Sequence, residues 1–431
     1  MSDPLPSLPA TPASGGRRAG FIVFLVVFVD LLGFGIVLPL LPLFGKNYVA
    51  PLLAPDSKYI GAVIGLLMAS FSAMQFLFAP AWGRLSDRIG RRPVLLIGLT
   101  GSVVFYSLLG YALTLPPEQA ALGLTLLFVS RLGAGLAGAT IGTAQAVIAD
   151  TTTPEKRKFG MAMIGVAFGI GFTFGPLLGS VIDESTPYWV GFLAAILSAV
   201  ALVLGLILMP ETRVGTAPTA RKHIGLGTIG QVLANPALGP VLLVFFLASL
   251  GFGGFETTLA LVNRDTLQLG SQANFRLFAF VGFVLMMTQG GLYRPLAKRL
   301  SEATFMTLGI ALMGVGVLGV AGLNACAQPM ELSQSARIAW LILSTTFSVV
   351  GFAFLTPSAQ ALISRRADPE RQGEILGVNQ SASALARILG PILWLSLYEL
   401  TTDHMLPYLC GGILLLLMLP VMSRVRAGDA S

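Results

Sequence analysis

Twelve apolar stretches, each about 20 residues or longer, follow one another along this chain of 431 residues with only short polar intervals between them. They run at about 20–44, 59–82, 93–114, 120–148, 159–182, 188–210, 238–262, 275–294, 303–323, 336–363, 373–398 and 405–424. A bilayer core about 30 Å thick is crossed by about 20 residues of helix. No water reaches backbone N–H and C=O groups there, so a spanning segment must satisfy them internally, as a helix does. The spacing therefore predicts an all-α membrane protein with twelve transmembrane helices. Composition agrees, with 55% of residues hydrophobic and 11% charged, against roughly a quarter charged in an average soluble domain.

The net charge of +7 could signal an acidic partner such as nucleic acid, but the placement of the bases accounts for it without one. The terminal segments and alternate loops supply 20 of the 27 Lys and Arg residues, all on one side of the membrane path. The opposite loops hold Lys46, Lys58, Arg264, Arg276 and Arg337. Basic loops stay in the cytoplasm, so both termini are expected there, in an inner or plasma membrane. The first 19 residues lack the apolar run and small-residue cleavage site of a secretory signal, and the first helix is expected to direct its own insertion. Cys326 and Cys410 have no Cys-x-x-Cys spacing and read as small packing residues.

An internal repeat divides the chain. Ala144-Gln145-Ala146-Val147-Ile148 recurs as Ala359-Gln360-Ala361-Leu362-Ile363, Pro154-Glu155-Lys156 as Pro369-Glu370-Arg371, and Gly175-Pro176 as Gly390-Pro391, each 215 positions on. Gly33-Phe34-Gly35 recurs as Gly251-Phe252-Gly253 at an offset of 218. A six-plus-six arrangement with both termini on one side requires a parallel repeat. The expected organisation is a tail (1–19), a first six-helix bundle (20–210), a polar linker (211–236), a second six-helix bundle (237–424) and a short tail (425–431).

Four charges fall inside the membrane. Asp30 lies roughly 15 Å along the first helix, near the midplane, where a carboxylate costs about 2.5–3.5 kcal/mol or more. It must face water, pair with a cation or carry a proton, which marks it as the leading proton-coupling site. Arg131 lies about 14 Å along the fourth helix and needs an acid or water nearby. Glu256 in the seventh helix and Arg387 in the eleventh lie deeper toward the other side. These four are candidates for both proton coupling and the substrate cavity. Gln75, Gln289, Asn379 and Gln380 are further candidates for the cavity, although mid-membrane amides also bond between helices for about 1 kcal/mol. Two acids and two bases leave the sign of a substrate open.

Between the second and third apolar stretches lies Gly83-Arg84-Leu85-Ser86-Asp87-Arg88-Ile89-Gly90-Arg91-Arg92. In the fifth stretch Gly171, Gly175 and Gly179 share a face that lets another backbone approach, and Pro176 permits a bend. The loop pattern resembles the signature of the major facilitator superfamily. With Asp30-Leu31-Leu32-Gly33-Phe34-Gly35, Arg131-Leu132-Gly133-Ala134-Gly135 and the glycines of the fifth helix, the chain is similar to the drug/proton antiporter branch that contains tetracycline efflux pumps. The stretches from Gly251 to Glu256 and from Thr288 to Gly291 look closest to the tetracycline-transporter-like group.

The resemblance implies the major facilitator fold, two pseudo-symmetric six-helix bundles, and an alternating-access cycle. It implies a cytoplasmic gate built from Gly83, Asp87, Arg88, Gly90, Arg91 and Asp150, with Asp87 capping a helix of the other half and Arg91 reaching Asp150. It also implies that Gly171, Gly175, Pro176 and Gly179 form an antiporter motif, hence export. Tetracycline pumps carry further acids in the third and ninth helices, which are missing here, and the second-half copy of the loop has Lys298 in place of the acid.

Only two histidines occur, His223 and His404, neither in a ligand pattern, so no metal, cofactor or enzyme activity is expected. The expected protein is a monomeric proton-coupled exporter of an amphipathic organic compound or drug. A metabolite uniporter or proton symporter of the same fold is the alternative.

Overall fold

A computed structural model describes residues 16–54, 57–151, 167, 169–182, 185–212, 226–326, 331–368 and 372–427. The first apolar stretch is two helices, α1 (Gly16–Val37) and α2 (Leu41–Val49). Pro39 occupies the break between them and Pro42 opens α2, and the two arms meet at 45°. Proline removes a ladder donor, which lets the chain bend there while both arms stay helical. Then come α3 (Tyr59–Ile89), α4 (Arg91–Ala112), α5 (Ala120–Ala137) and α6 (Ile141–Thr151). A single 3₁₀ turn, Gly138–Thr140, joins α5 to α6 inside one span. The first half of the chain ends with α7 (Gly169–Gly179) and α8 (Trp189–Leu208).

A short helix, α9 (Leu226–Ala234), precedes the second half. That half runs through α10 (Gly239–Asp265), α11 (Ser271–Met287), α12 (Tyr293–Leu296), α13 (Glu302–Cys326), α14 (Gln334–Arg366), α15 (Gln372–Tyr398), α16 (Leu406–Leu416) and α17 (Val421–Ala427). A π-helical turn, Thr288–Leu292, continues α11 into α12. Among the described residues ten helical spans are long and apolar enough to cross a membrane, and the bent α1–α2 pair makes an eleventh. The shorter apolar α7 falls where the fifth span is expected; residues 152–166 and 168, and residues 213–225 of the expected linker, lie outside the described residues.

Large apolar side chains stay uncovered, among them Val181 at 80%, Ile207 at 73% and Leu77 at 64% exposed. In water such surface would drive association, whereas lipid solvates it. The chain is an integral membrane protein.

Close packing within the first half pairs α4 with α8 and α5, and α1 with α8; within the second it pairs α13 with α14 and α16, and α10 with α15. Between the halves the main seam joins α3 to α15. Here glycine is needed for close approach. A methyl group at Gly65 would lie 2.6 Å from Ile392 Cα, and one at Gly61 would land on the Leu395 carbonyl. A second seam joins α7 to α11, where a methyl group at Gly282 would lie 2.8 Å from Thr173 Cα. Gly61 and Leu395 sit at the ends of their helices away from the chain termini, a side called here the far face.

Candidate functional site

The turn between α3 and α4 is built around Gly90, whose φ of +107° suits glycine and strains any other residue. From that turn the free N–H groups that begin α4 point at one carboxylate. Glu211 Oε1 accepts from Arg91 N at 2.9 Å and Oε2 accepts from Arg92 N at 3.1 Å. An acid at a helix N-terminus satisfies orphan donors and complements the helix dipole. A side chain at Gly90 would collide with the same carboxylate. In the sequence Glu211 stands only at the start of the expected linker, with no role assigned to it. The available signal was an acid directly after the last apolar residues of a span, on a side of the membrane otherwise rich in bases.

Arg91 gathers the rest of the loop. Its Nε donates to Asp150 Oδ2 at 3.1 Å, at the end of α6, and its Nη1 donates to Ser86 Oγ at 2.7 Å and to Asp87 Oδ1. The Arg92 guanidinium donates to the Leu206 carbonyl at 2.7 Å. The Asp87 carboxylate is thus engaged by Arg91 of its own half, where the family resemblance led to the expectation of a helix of the other half. Arg88 lies on the same turn, and Gly83 faces open space.

At mid-depth, Arg131 is only 2% exposed. Its guanidinium lies over the Phe71 ring at 4.5 Å and the Phe34 ring at 5.9 Å, while Nε and Nη1 have no hydrogen-bond partner among the described residues. Two aromatic faces, whose quadrupoles attract a cation, seat the guanidinium among the described residues. Asp30 lies in α1, and its side chain falls outside the described residues.

Gln75 Nε2 donates to the Gly138 carbonyl at 3.1 Å and Trp82 Nε1 to the Leu136 carbonyl at 2.7 Å. Both side chains of α3 thus cover carbonyls at the 3₁₀ break between α5 and α6, where the helical ladder loosens. Gln75 therefore serves as an interhelical tie.

In the second half Glu256 on α10 and Arg387 on α15 feel each other's charge, and among the described residues no ion pair within 4.0 Å joins them. Close packing at Gly253, Gly254 and Gly390 draws the two helices together beside them. Glu256 is half-buried and Arg387 exposed, with Arg387 Nη1 donating to Ser383 Oγ at 3.4 Å. Gln380, Ser383 and Arg387 follow one another at helical spacing on one face of α15. Asn379 is 3% exposed with its Oδ1 unpartnered. Gln289 is half-buried within the π turn, and the adjoining Gly290 and Gly291 face open space.

The expected glycine face of α7 divides between two neighbours. Gly171 and Gly175 receive α1, with a methyl group at Gly171 2.8 Å from Leu31 Cβ and one at Gly175 2.9 Å from Gly35 Cα. Gly179, beyond Pro176, instead receives the Phe275 ring of α11 in the other half. The segment therefore touches both halves of the molecule. No group of three or more His, Cys, Asp or Glu that could hold a metal occurs among the described residues.

Repeated bundles of spanning helices, with charged side chains at mid-depth and a basic turn at the terminus side, define a polytopic membrane transporter. The chain belongs to the Major Facilitator Superfamily, whose family profile matches residues 23–391 and 291–428. It is 29% identical to the class D tetracycline resistance protein of Salmonella ordonez over 89% of this chain and 91% of that one. It is 27% identical to the mouse (Mus musculus) major facilitator superfamily domain-containing protein 10 over 96% of this chain and 94% of the other. Among solved structures it superposes on the human organic anion transporter MFSD10 (TETRAN) with a TM-score of 0.64 at 25% identity, covering 96% of this chain and 100% of that one. The fold is also that of a D-xylose–proton symporter, with a TM-score of 0.74 at 16% identity and coverage of 93% and 97%.

Proposed function

We propose that this transporter exports an amphipathic organic compound in exchange for protons, by alternating access of a site between its two halves. The observation that carries the reading is the placement of Glu256 and Arg387 within facing spans without a closed ion pair among the described residues. A carboxylate held in a membrane is costly unless it takes up a proton or finds a partner. A nearby guanidinium free to approach or withdraw therefore ties proton occupancy to helix position. Asp30 in the first half is the leading proton carrier and Glu256 the second. Similarity to tetracycline resistance proteins over most of both chains supports export.

In this reading the termini are cytoplasmic, the protein works as a monomer, and the far face is extracytoplasmic and closed in the present structure. The Gly83–Arg92 turn then acts as the cytoplasmic gate. Asp87 is bound to Arg91 while the gate is open and is handed to a helix of the other half when it closes. Arg387 and the similarity to a human organic anion transporter favour an anionic group on the substrate.

The test is proton movement in inside-out vesicles on addition of organic anions, lipophilic cations and tetracyclines. Substrate-evoked proton release from acidified vesicles is expected in the wild type and absent in Asp30→Asn, with Glu256→Gln reporting on the second carrier. Proton uptake together with substrate would mean symport. Full pH-driven exchange in both variants would overturn the assignment of carriers.

A further inference from the structure

At the far face one cation of the first half is held by two acids of the second. Lys46 Nζ lies 2.7 Å from Glu399 Oε1, just beyond α15, and 3.8 Å from Asp265 Oδ2, the last residue of α10. These side chains are 22%, 13% and 20% exposed, too covered for ordinary surface decoration. The two acids are themselves positioned. Arg264 Nε holds Asp265 Oδ1 at 2.8 Å, and the hydroxyl of the fully buried Tyr398 donates to Asp265 Oδ2 at 3.3 Å. Tyr398 is stacked on His404 at 4.2 Å, with its carbonyl 2.7 Å from His404 Nδ1.

The bend in the first span explains how Lys46 gets there. The 45° break at Pro39 tilts α2 away from the line of α1, and α2 packs both on α3 and α5 of its own half and on α10 of the other. The cluster sits next to the glycine seam, since Leu395 meets Gly61 one helical turn before Glu399, whose Cγ would lie 3.0 Å from a methyl group at Gly61. The cation belongs to one half and both acids to the other, so the attraction acts only while the halves are together.

We propose that Lys46, Asp265 and Glu399 form an ionic latch that holds the far face shut and sets how often it opens. The latch rests on the alternating-access reading but not on the direction or substrate of transport. It must break each time the central site faces away from the chain termini, so its strength sets the balance between the two states. Among the described residues Lys46 carries the first-half contribution. Glu399 is its main partner, and Asp265 is a secondary acid kept in place by Arg264 and Tyr398.

The experiment measures electron–electron distances between nitroxides at Ala54→Cys and Thr402→Cys, exposed far-face positions of the two halves, in full-length protein with Cys326 and Cys410 replaced by alanine. Wild type is expected to show a dominant short and a minor long separation. Lys46→Met and Glu399→Gln should each raise the long-to-short ratio by about fivefold. The double variant should add little to either single one, and Lys46→Arg should stay near wild type and show that position 46 tolerates substitution. Unchanged ratios in the single variants, or effects that multiply in the double variant, would overturn the latch. A single short population in wild type that no substrate or pH gradient shifts, in protein that transports, would instead overturn the alternating-access reading and the latch with it.

Discussion

At the residue scale, two side chains carry opposite lessons. Gly90 and Glu211 form one device, a left-handed turn whose tight inner space holds the carboxylate that starts α4. Gly90→Ala is expected to lower stability by about 1–3 kcal/mol through a backbone conformation nearly reserved for glycine, with a further loss from collision with Glu211. In a Glu211→Ala background that further loss should disappear, a non-additivity read from thermal midpoints in lipid nanodiscs. Arg131 is the contrary case, a buried guanidinium with two donors unmet among the described residues. A residue kept for stability would be missed when removed. Arg131→Met is instead expected to leave the midpoint unchanged or raise it while transport falls, because an unsatisfied buried charge opposes folding. A lowered midpoint with a matching loss of transport would assign Arg131 a structural role.

At the element scale, the spans were legible because lipid forces helix on any segment of that length and apolarity. The expected run at 336–363 is α14, Gln334–Arg366, and that at 238–262 is α10, Gly239–Asp265. Interruptions inside spans were not legible. The 3₁₀ turn at Gly138–Thr140 follows no proline, and it becomes intelligible only when Gln75 and Trp82 of another helix are seen on the freed carbonyls. Of the site, the Arg91–Asp150 contact could be anticipated through family resemblance. The aromatic seat of Arg131 depends on distant parts of the chain meeting, which no local pattern encodes, and the acid at Glu211 stands out locally while its partners at the start of α4 do not. The α3–α15 seam makes its own prediction. Gly65→Leu should wedge the two helices apart at Ile392, raise the long-separation population in the nitroxide experiment, and leave the fold intact. An unchanged distribution would show that the seam yields elsewhere.

At the scale of the whole molecule, the halves meet by two kinds of contact. Bare glycine surfaces at Gly61, Gly65, Gly179 and Gly282 give closeness without directional bonds, and Lys46 adds a directional tie to two acids. Such a mixture separates without leaving backbone groups stranded in lipid, since every helix keeps its own ladder. The π turn at Thr288–Leu292 gives this a mechanical meaning, because it stores one surplus residue in a span that touches the opposite half through Gly282. A helix with a stored residue has two registers for everything beyond it, differing by about 100° and 1.5 Å. If the turn relaxes as the halves swing, Gln289 rotates from one side of its span toward another. The same side chain then serves as a different wall of the passage, with no hinge in the loops and an axial shift of only about 1.5 Å.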